Sequence, residues 1–442
     1  MLNRRFFQLA FFNILSNLMV PLASLVDTAF LGHLPEDPQL KGLAGVALGS
    51  ILFNYIYWTF GFLRMGTTGT TAIAAGQKNE NEVFLTLLRN GTIALTIALL
   101  IIIIQKPLQT IGFALISGTE AVKESGINYY NALIWGAPAT LLNFVLLGWF
   151  LGREKGKIVL IISAIAKIAN IIFDYVFIVQ LNWGSAGAGS ATAIGQYLAA
   201  LFGIAIIFRE FPLKKNRKLW NKILDREALL NSFNLNREIL IRTLFLVTTF
   251  AIFTNMSAAL GTNFLVANTL LLQVVTLAAY FIDGLAFATE TIAGKSRGEG
   301  AKELLLPLLK LSGGIGLILA ISLALTFNLI PNLFKLLTNN PQAIAAVTTY
   351  IIWLFPVLIF GAIAFILDGY FIGLTEGPIL RKSTAIAAIV FFSPAAIAAN
   401  YLKSNHILWL ALSLFMLGRA ITLAIEVRPT LTTINNQYRE RN

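Results

Sequence analysis

Long stretches of this chain contain almost no charge, and that exclusion limits the folds open to it more than any other feature. Runs such as 92–104 and 158–172 have the purity of bilayer spans, which need about 20 mostly apolar residues. In hydrocarbon the backbone must satisfy its own hydrogen bonds, and runs of this length do so as helices. Hydrophobic residues make up 57% of the chain and charged ones 12%, against roughly 25% charged in a soluble domain. The mean hydropathy is +0.75. Apolar length, punctuated by Gly, Pro and charge, gives helices at 6–33, 44–75, 84–105, 127–151, 157–181 and 186–208, then 238–261, 264–293, 304–334, 345–373, 380–401 and 405–427. The expected fold class is an all-α polytopic membrane protein with 12 transmembrane helices.

The net charge of +12 is spread over short loops between apolar segments, which points to membrane orientation and not to nucleic acid. With the N-terminus inside, the inward loops carry Arg153, Lys155, Lys157, Lys295, Arg297, Lys302, Arg381 and Lys382. The outward loops carry Lys41, Lys106, Lys123, Lys335 and Lys403. This bias puts both termini in the cytoplasm. The basic interval 209–237, with Lys214, Lys215, Arg217, Lys218, Lys222 and Arg226, reads as a cytoplasmic linker beside anionic lipid headgroups. There is no cysteine, so thiol catalysis and Cys-based metal sites are excluded. His33 and His406 fall at separate span ends, beside different expected loops, which argues against an imidazole metal site. The Arg-Arg start resembles a signal peptide, but the apolar part that follows is too long for one and carries Asp27. It reads as a retained first span.

The linker divides two copies of one design. GTTAIAAGQKNENE at 69–82 aligns without gaps with FATETIAGKSRGEG at 287–300, 218 residues downstream. The same offset pairs Ile134, Trp135 and Pro138 with Ile352, Trp353 and Pro356. After a three-residue insertion, GWFLGREKG at 148–156 pairs with GYFIGLTEG at 369–377. Six spans per copy keep the same topology in both, so the halves form a parallel repeat, with a substrate site expected at its interface. The expected organisation is an N-lobe at 1–208, the linker at 209–237 and a C-lobe at 238–442.

Charge enters the spans at Asp27, Asp174, Asp283 and Asp368. Intramembrane carboxylates are expensive and persist where they handle ions, protons or charged substrate. Asn170 precedes Asp174 by four residues and shares its helix face. A standing pair of Asp174 with Lys167, seven residues earlier, is the structural alternative. Asp368 and Asp283 either attract a cationic substrate in a cavity or pair with bases such as Arg381 and Arg419. Tyr280 and Tyr55 are candidate cavity aromatics, with core or lipid-facing packing as the alternative. The bases counted within spans are Arg64, Lys167 and Arg419. GSAGAGS at 184–190 lacks a βαβ setting and reads as a tight turn with close helix packing. Pro21, six residues before Asp27, cannot donate to the Asn17 carbonyl and should kink the first helix.

These residues resemble the MATE (multidrug and toxic compound extrusion) family, and within it the DinF-like branch. The motifs are VDTAFLG in the first span, FDYVFI in the fifth, NWGSAGAGSATAIGQY after it and LDGYFIGLTE in the tenth. The resemblance covers essentially the whole chain and implies a cation-coupled exporter with two six-helix lobes around a central cavity. It implies that Asp27, Asp174, Asn170, Asn143 and Thr192 form an N-lobe cluster for proton, or in some members Na⁺, binding. Other branches use a glutamate in the seventh span; here that span, from Ile239 to Leu260, has no acid, and Met256 stands at the repeat position of Asp27. Coupling through the N-lobe is therefore expected. A carboxylate with amide and hydroxyl oxygens suits a proton or Na⁺, and two close buried carboxylates titrate as a unit.

The expected function is a proton-coupled antiporter exporting amphipathic, cationic organic compounds by alternating access. The alternatives are a Na⁺-coupled drug exporter and a flippase for lipid-linked precursors, the latter disfavoured by the scarcity of intramembrane bases. No catalytic constellation is found, so no enzyme activity is expected, and no cofactor beyond the coupling ion. The chain is expected to act as a monomer in the inner (plasma) membrane, in contact with lipids.

Overall fold

The structure, a computed structural model, describes residues 2–32, 36–116, 118–211, 219, 222, 223, 225–338 and 341–439, excepting the side chains of 22–43, 54, 341 and 435–439. The described residues are helical, with no strand among them. α1 runs over Leu2–Gly32 with Pro21 in its interior. Eleven further helices are long and apolar enough to cross a membrane. They are α2 (Ala44–Gly76), α3 (Glu80–Ile103), α4 (Glu120–Gly152), α5 (Gly156–Gln180), α6 (Gly184–Glu210) and α7 (Arg226–Leu260). Then follow α8 (Thr262–Glu299), α9 (Lys302–Leu329), α10 (Gln342–Gly373), α11 (Gly377–Leu402) and α12 (Asn405–Ile434). A short helix, Gln105–Leu115, lies between α3 and α4. Each expected span has its helix.

α7 begins twelve residues before its expected start, because its polar first turns are capped. Asp225 Oδ1 accepts from the amides of Glu227 (3.0 Å) and Ala228 (3.2 Å), which satisfies two orphan donors at the N-terminus. The interval between α6 and α7 is correspondingly shorter than 209–237. Lys214, Lys215, Arg217 and Lys218 lie outside the described residues. Lys222 is tied down where its carbonyl accepts from Arg89 at 3.2 Å, and Arg89 also pairs with Glu82 at 2.6 Å.

The chain forms two compact units. One is Leu15–Phe233; the other joins Met1–Ile14 to Asn234–Asn442. They are called here the N-lobe and the C-lobe. The start of α1 belongs with the C-lobe, where Phe6, Leu9, Ala10 and Asn13 are buried. Gly284 of α8 permits this, since a Cβ there would stand 2.9 Å from the Ile14 amide nitrogen.

Packing repeats between the lobes. α2, α3 and α6 pack on α4, as α8, α9 and α12 pack on α10. The repeat extends to single backbone groups. Glu154 (φ 60°) and Thr375 (φ 57°) hold the same left-handed position 221 residues apart. In each lobe two amides close the helix end alike: Glu154 to Leu151 and Lys155 to Phe150, then Thr375 to Ile372 and Glu376 to Phe371. This is a Schellman-type close. The 3₁₀ turns Ile134–Gly136 and Ile351–Trp353 also correspond. Pro138 and Pro356 lack the N–H that would reach Ile134 and Ile352, so the ladder tightens at those points.

Candidate functional site

The N-lobe cluster is built by three helices. Gly195 lets α6 lie directly on α5: a Cβ there would strike the Ala166 carbonyl and come 3.2 Å from the Asn170 amide nitrogen. That approach brings Thr192 of α6 to Asn170. Asn170 Nδ2 donates to Asp174 Oδ2 at 2.7 Å and to Thr192 Oγ1 at 3.4 Å. The Thr192 hydroxyl donates in turn to the Ala188 carbonyl at 3.0 Å, leaving its lone pairs for Asn170. One turn along α6, Gln196 accepts from Asn143 Nδ2 of α4 through its carbonyl (2.9 Å) and Oε1 (2.8 Å).

Asp174 is 0% exposed, and Asn170 and Asn143 are also buried. Asn143 Oδ1 accepts no hydrogen bond from the described residues. The arrangement gathers carboxylate, amide and hydroxyl groups around a buried acid, and their oxygens suit a proton or a hard cation. Asp174 also marks a change in its helix, which widens into a π-helical stretch over Tyr175–Gln180. Such stretches recur at functional positions.

Four of the five expected N-lobe residues, Asp174, Asn170, Thr192 and Asn143, thus lie on the facing helices α4, α5 and α6. Gln196, which sequence reasoning omits, joins them; its signal is the four-residue spacing from Thr192 within one helix. Asp27 is within α1, but its side chain lies outside the described residues.

The C-lobe gives a different picture for Asp368. Arg242 of α7 and Arg419 of α12 both donate to Asp368 Oδ2 of α10. All three are buried, Arg419 completely. Arg419 also lies 5.1 Å from the Phe365 ring centre and 5.7 Å from that of Phe415, and it is within electrostatic reach of Asp283. The reading of Asp368 as an open charge for a cationic substrate gives way to the pairing alternative, with Arg419 as foreseen and Arg242 as a second partner. Arg242 lies inside the expected span 238–261, yet the sequence count of bases omits it and the buried Arg89 alike.

Asp283 is half-buried, Tyr280 is half-buried beside it, and Tyr55 is exposed at 50%. Phe53 is core: it stacks on Tyr130 with ring centres 5.2 Å apart. Glu290 is fully buried, and its backbone carbonyl meets Gly373 where α8 crosses α10.

A family model described as MatE matches residues 13–176 and 239–402, one stretch in each half. DNA damage-inducible protein F of Escherichia coli (strain K12) is 33% identical over 412 residues, covering 93% of this chain and 89% of that protein. The probable multidrug resistance protein NorM of Thermotoga maritima is 24% identical over 338 residues, covering 74% of this chain and 70% of that one. Among solved structures, a MOP superfamily transporter from Pyrococcus furiosus superposes with a TM-score of 0.86 at 18% identity, covering 98% of this chain and 97% of that one. With both halves matched by the family model and a relative at this identity along nearly the whole length, the chain belongs to the MatE family of multidrug and toxic compound efflux transporters.

Proposed function

We propose that this protein is a proton-coupled antiporter that exports amphipathic, cationic organic compounds by alternating access. The observation that carries the reading is the buried Asp174–Asn170–Thr192 cluster with its 2.7 Å hydrogen bond to the carboxylate. A carboxylate in that position holds a proton in one state and, with the amide to receive its charge, releases it in another. Asp27 is the proposed second acid, titrating with Asp174 as a pair, and Asn143 and Gln196 complete the oxygen-rich surround. The kinship with a protein named for multidrug resistance supports an organic substrate. The proposal places the protein as a monomer in the plasma (inner) membrane with both termini cytoplasmic, following the distribution of basic loops.

Everted membrane vesicles containing the full chain test this. An imposed pH gradient, acid inside the vesicle, should drive uptake of ethidium or rhodamine 6G, while a Na⁺ gradient alone should drive little. Uptake driven by Na⁺ and indifferent to the pH gradient would replace the proton by Na⁺ as coupling ion. Uptake driven by neither would remove the antiport reading.

A further inference from the structure

A buried carboxylate needs a positive partner. In a lobe that couples transport to a cation, that partner is the mobile ion, and its departure is a step of the cycle. The C-lobe contains a buried carboxylate whose partners cannot depart. Arg242 and Arg419 reach Asp368 Oδ2 from α7 and α12, and a guanidinium does not lose its proton in a protein. The three helices are held by one acceptor atom. Its twin, Asp368 Oδ1, is buried and accepts no hydrogen bond from the described residues. Without the two side chains, a buried carboxylate with one open oxygen would remain, and carboxylate oxygens are hard ligands of the kind that take Na⁺.

We propose that Arg242 and Arg419 are the resident cations of the C-lobe: they occupy, as side chains, the place of a mobile cation at Asp368, and removing both converts that place into a Na⁺ site. The inference does not depend on N-lobe coupling, because the site is read out by binding and not by transport. It also gives a physical cause for a one-lobed coupling scheme. The Asp368 carboxylate is neutralised by groups that belong to the chain and do not leave it.

The test uses the full chain purified in detergent at pH 8, with NaCl compared against choline chloride at equal concentration. The variants are R242Q/R419Q and the uncharged control R242Q/R419Q/D368N. The double variant should melt about 3 °C or more higher in Na⁺ than in choline, as expected when a ligand binds only the folded state well above its Kd. Wild type and the triple variant should show a smaller and mutually equal difference, reporting only whatever Na⁺ does elsewhere. If the double variant does not fold in choline, recovery of folded protein on adding Na⁺ supports the proposal equally. A double variant whose Na⁺ response equals that of the triple variant overturns it. So does a double variant that fails to fold in either salt while the triple variant folds.

Discussion

At the scale of single residues, the two lobes treat a buried carboxylate in opposite ways. Asp174 receives a neutral amide at 2.7 Å, an interaction that persists whether or not a proton is present, since the amide also offers an oxygen. Asp174→Asn should leave the protein folded and abolish proton-driven transport, as should Asp27→Asn. The double variant should be little worse than either, because the two act as a unit. Melting temperature and vesicle uptake, measured together, separate loss of coupling from loss of fold. Asp368 receives two cations instead, so Asp368→Asn strands both guanidinia. It should destabilise the protein by about 3–5 kcal/mol, the cost of breaking a buried pair, visible as a lower melting temperature. A variant that keeps its stability but changes substrate preference would return Asp368 to the substrate cavity. The sequence shows the Asn170–Asp174 spacing plainly, because two polar residues four apart stand out in an apolar helix. It does not show that Asp368 has two partners, since those arginines lie 126 and 51 residues away and only the fold brings them together.

At the scale of elements, glycines decide how closely helices approach. Gly148 and Gly152 of α4 let α2 come to backbone contact at Arg64 and Thr68, and Gly369 and Gly373 of α10 do the same for α8 at Ala286 and Glu290. A Cβ on Gly152 would stand 2.7 Å from both the Thr68 carbonyl oxygen and Thr71 Cβ. Gly152→Ala should therefore cost about 1–3 kcal/mol from overpacking, read as a fall in melting temperature, whereas Ala at Gly313, where nothing lies within 4 Å, should cost nothing. The spans themselves are legible because apolar length is a property of the chain: 157–181 becomes Gly156–Gln180, and 380–401 becomes Gly377–Leu402. What is missed are features that cost little in hydropathy. The polar first turns of α7 read as linker because their cap is a single aspartate, Asp225. The π-helical stretch after Asp174 has no proline to announce it.

At the scale of the whole molecule, one six-helix design is used twice, with matching helix ends, matching 3₁₀ turns and different charge chemistry. The N-lobe carries Asp174 hydrogen-bonded to Asn170; the C-lobe carries Asp368 between two fixed cations. The repeat is readable from glycines, prolines and loop positions, while the asymmetry is readable only in part. The absence of an acid from the Ile239–Leu260 stretch of α7 is visible in the sequence, and Arg242 within that stretch acquires its meaning from its partner on α10. The division of labour predicts that transport responds to changes in the N-lobe acids in its coupling and to changes in the C-lobe triad in its stability. The most direct measurement is proton release from the purified protein in weakly buffered detergent on addition of saturating ethidium. The wild type should release protons on binding the cation, and Asp174→Asn, still folded, should bind ethidium without releasing any. Release of the same number of protons by wild type and by the Asp27→Asn/Asp174→Asn double variant would contradict the assignment of the coupling proton to the N-lobe.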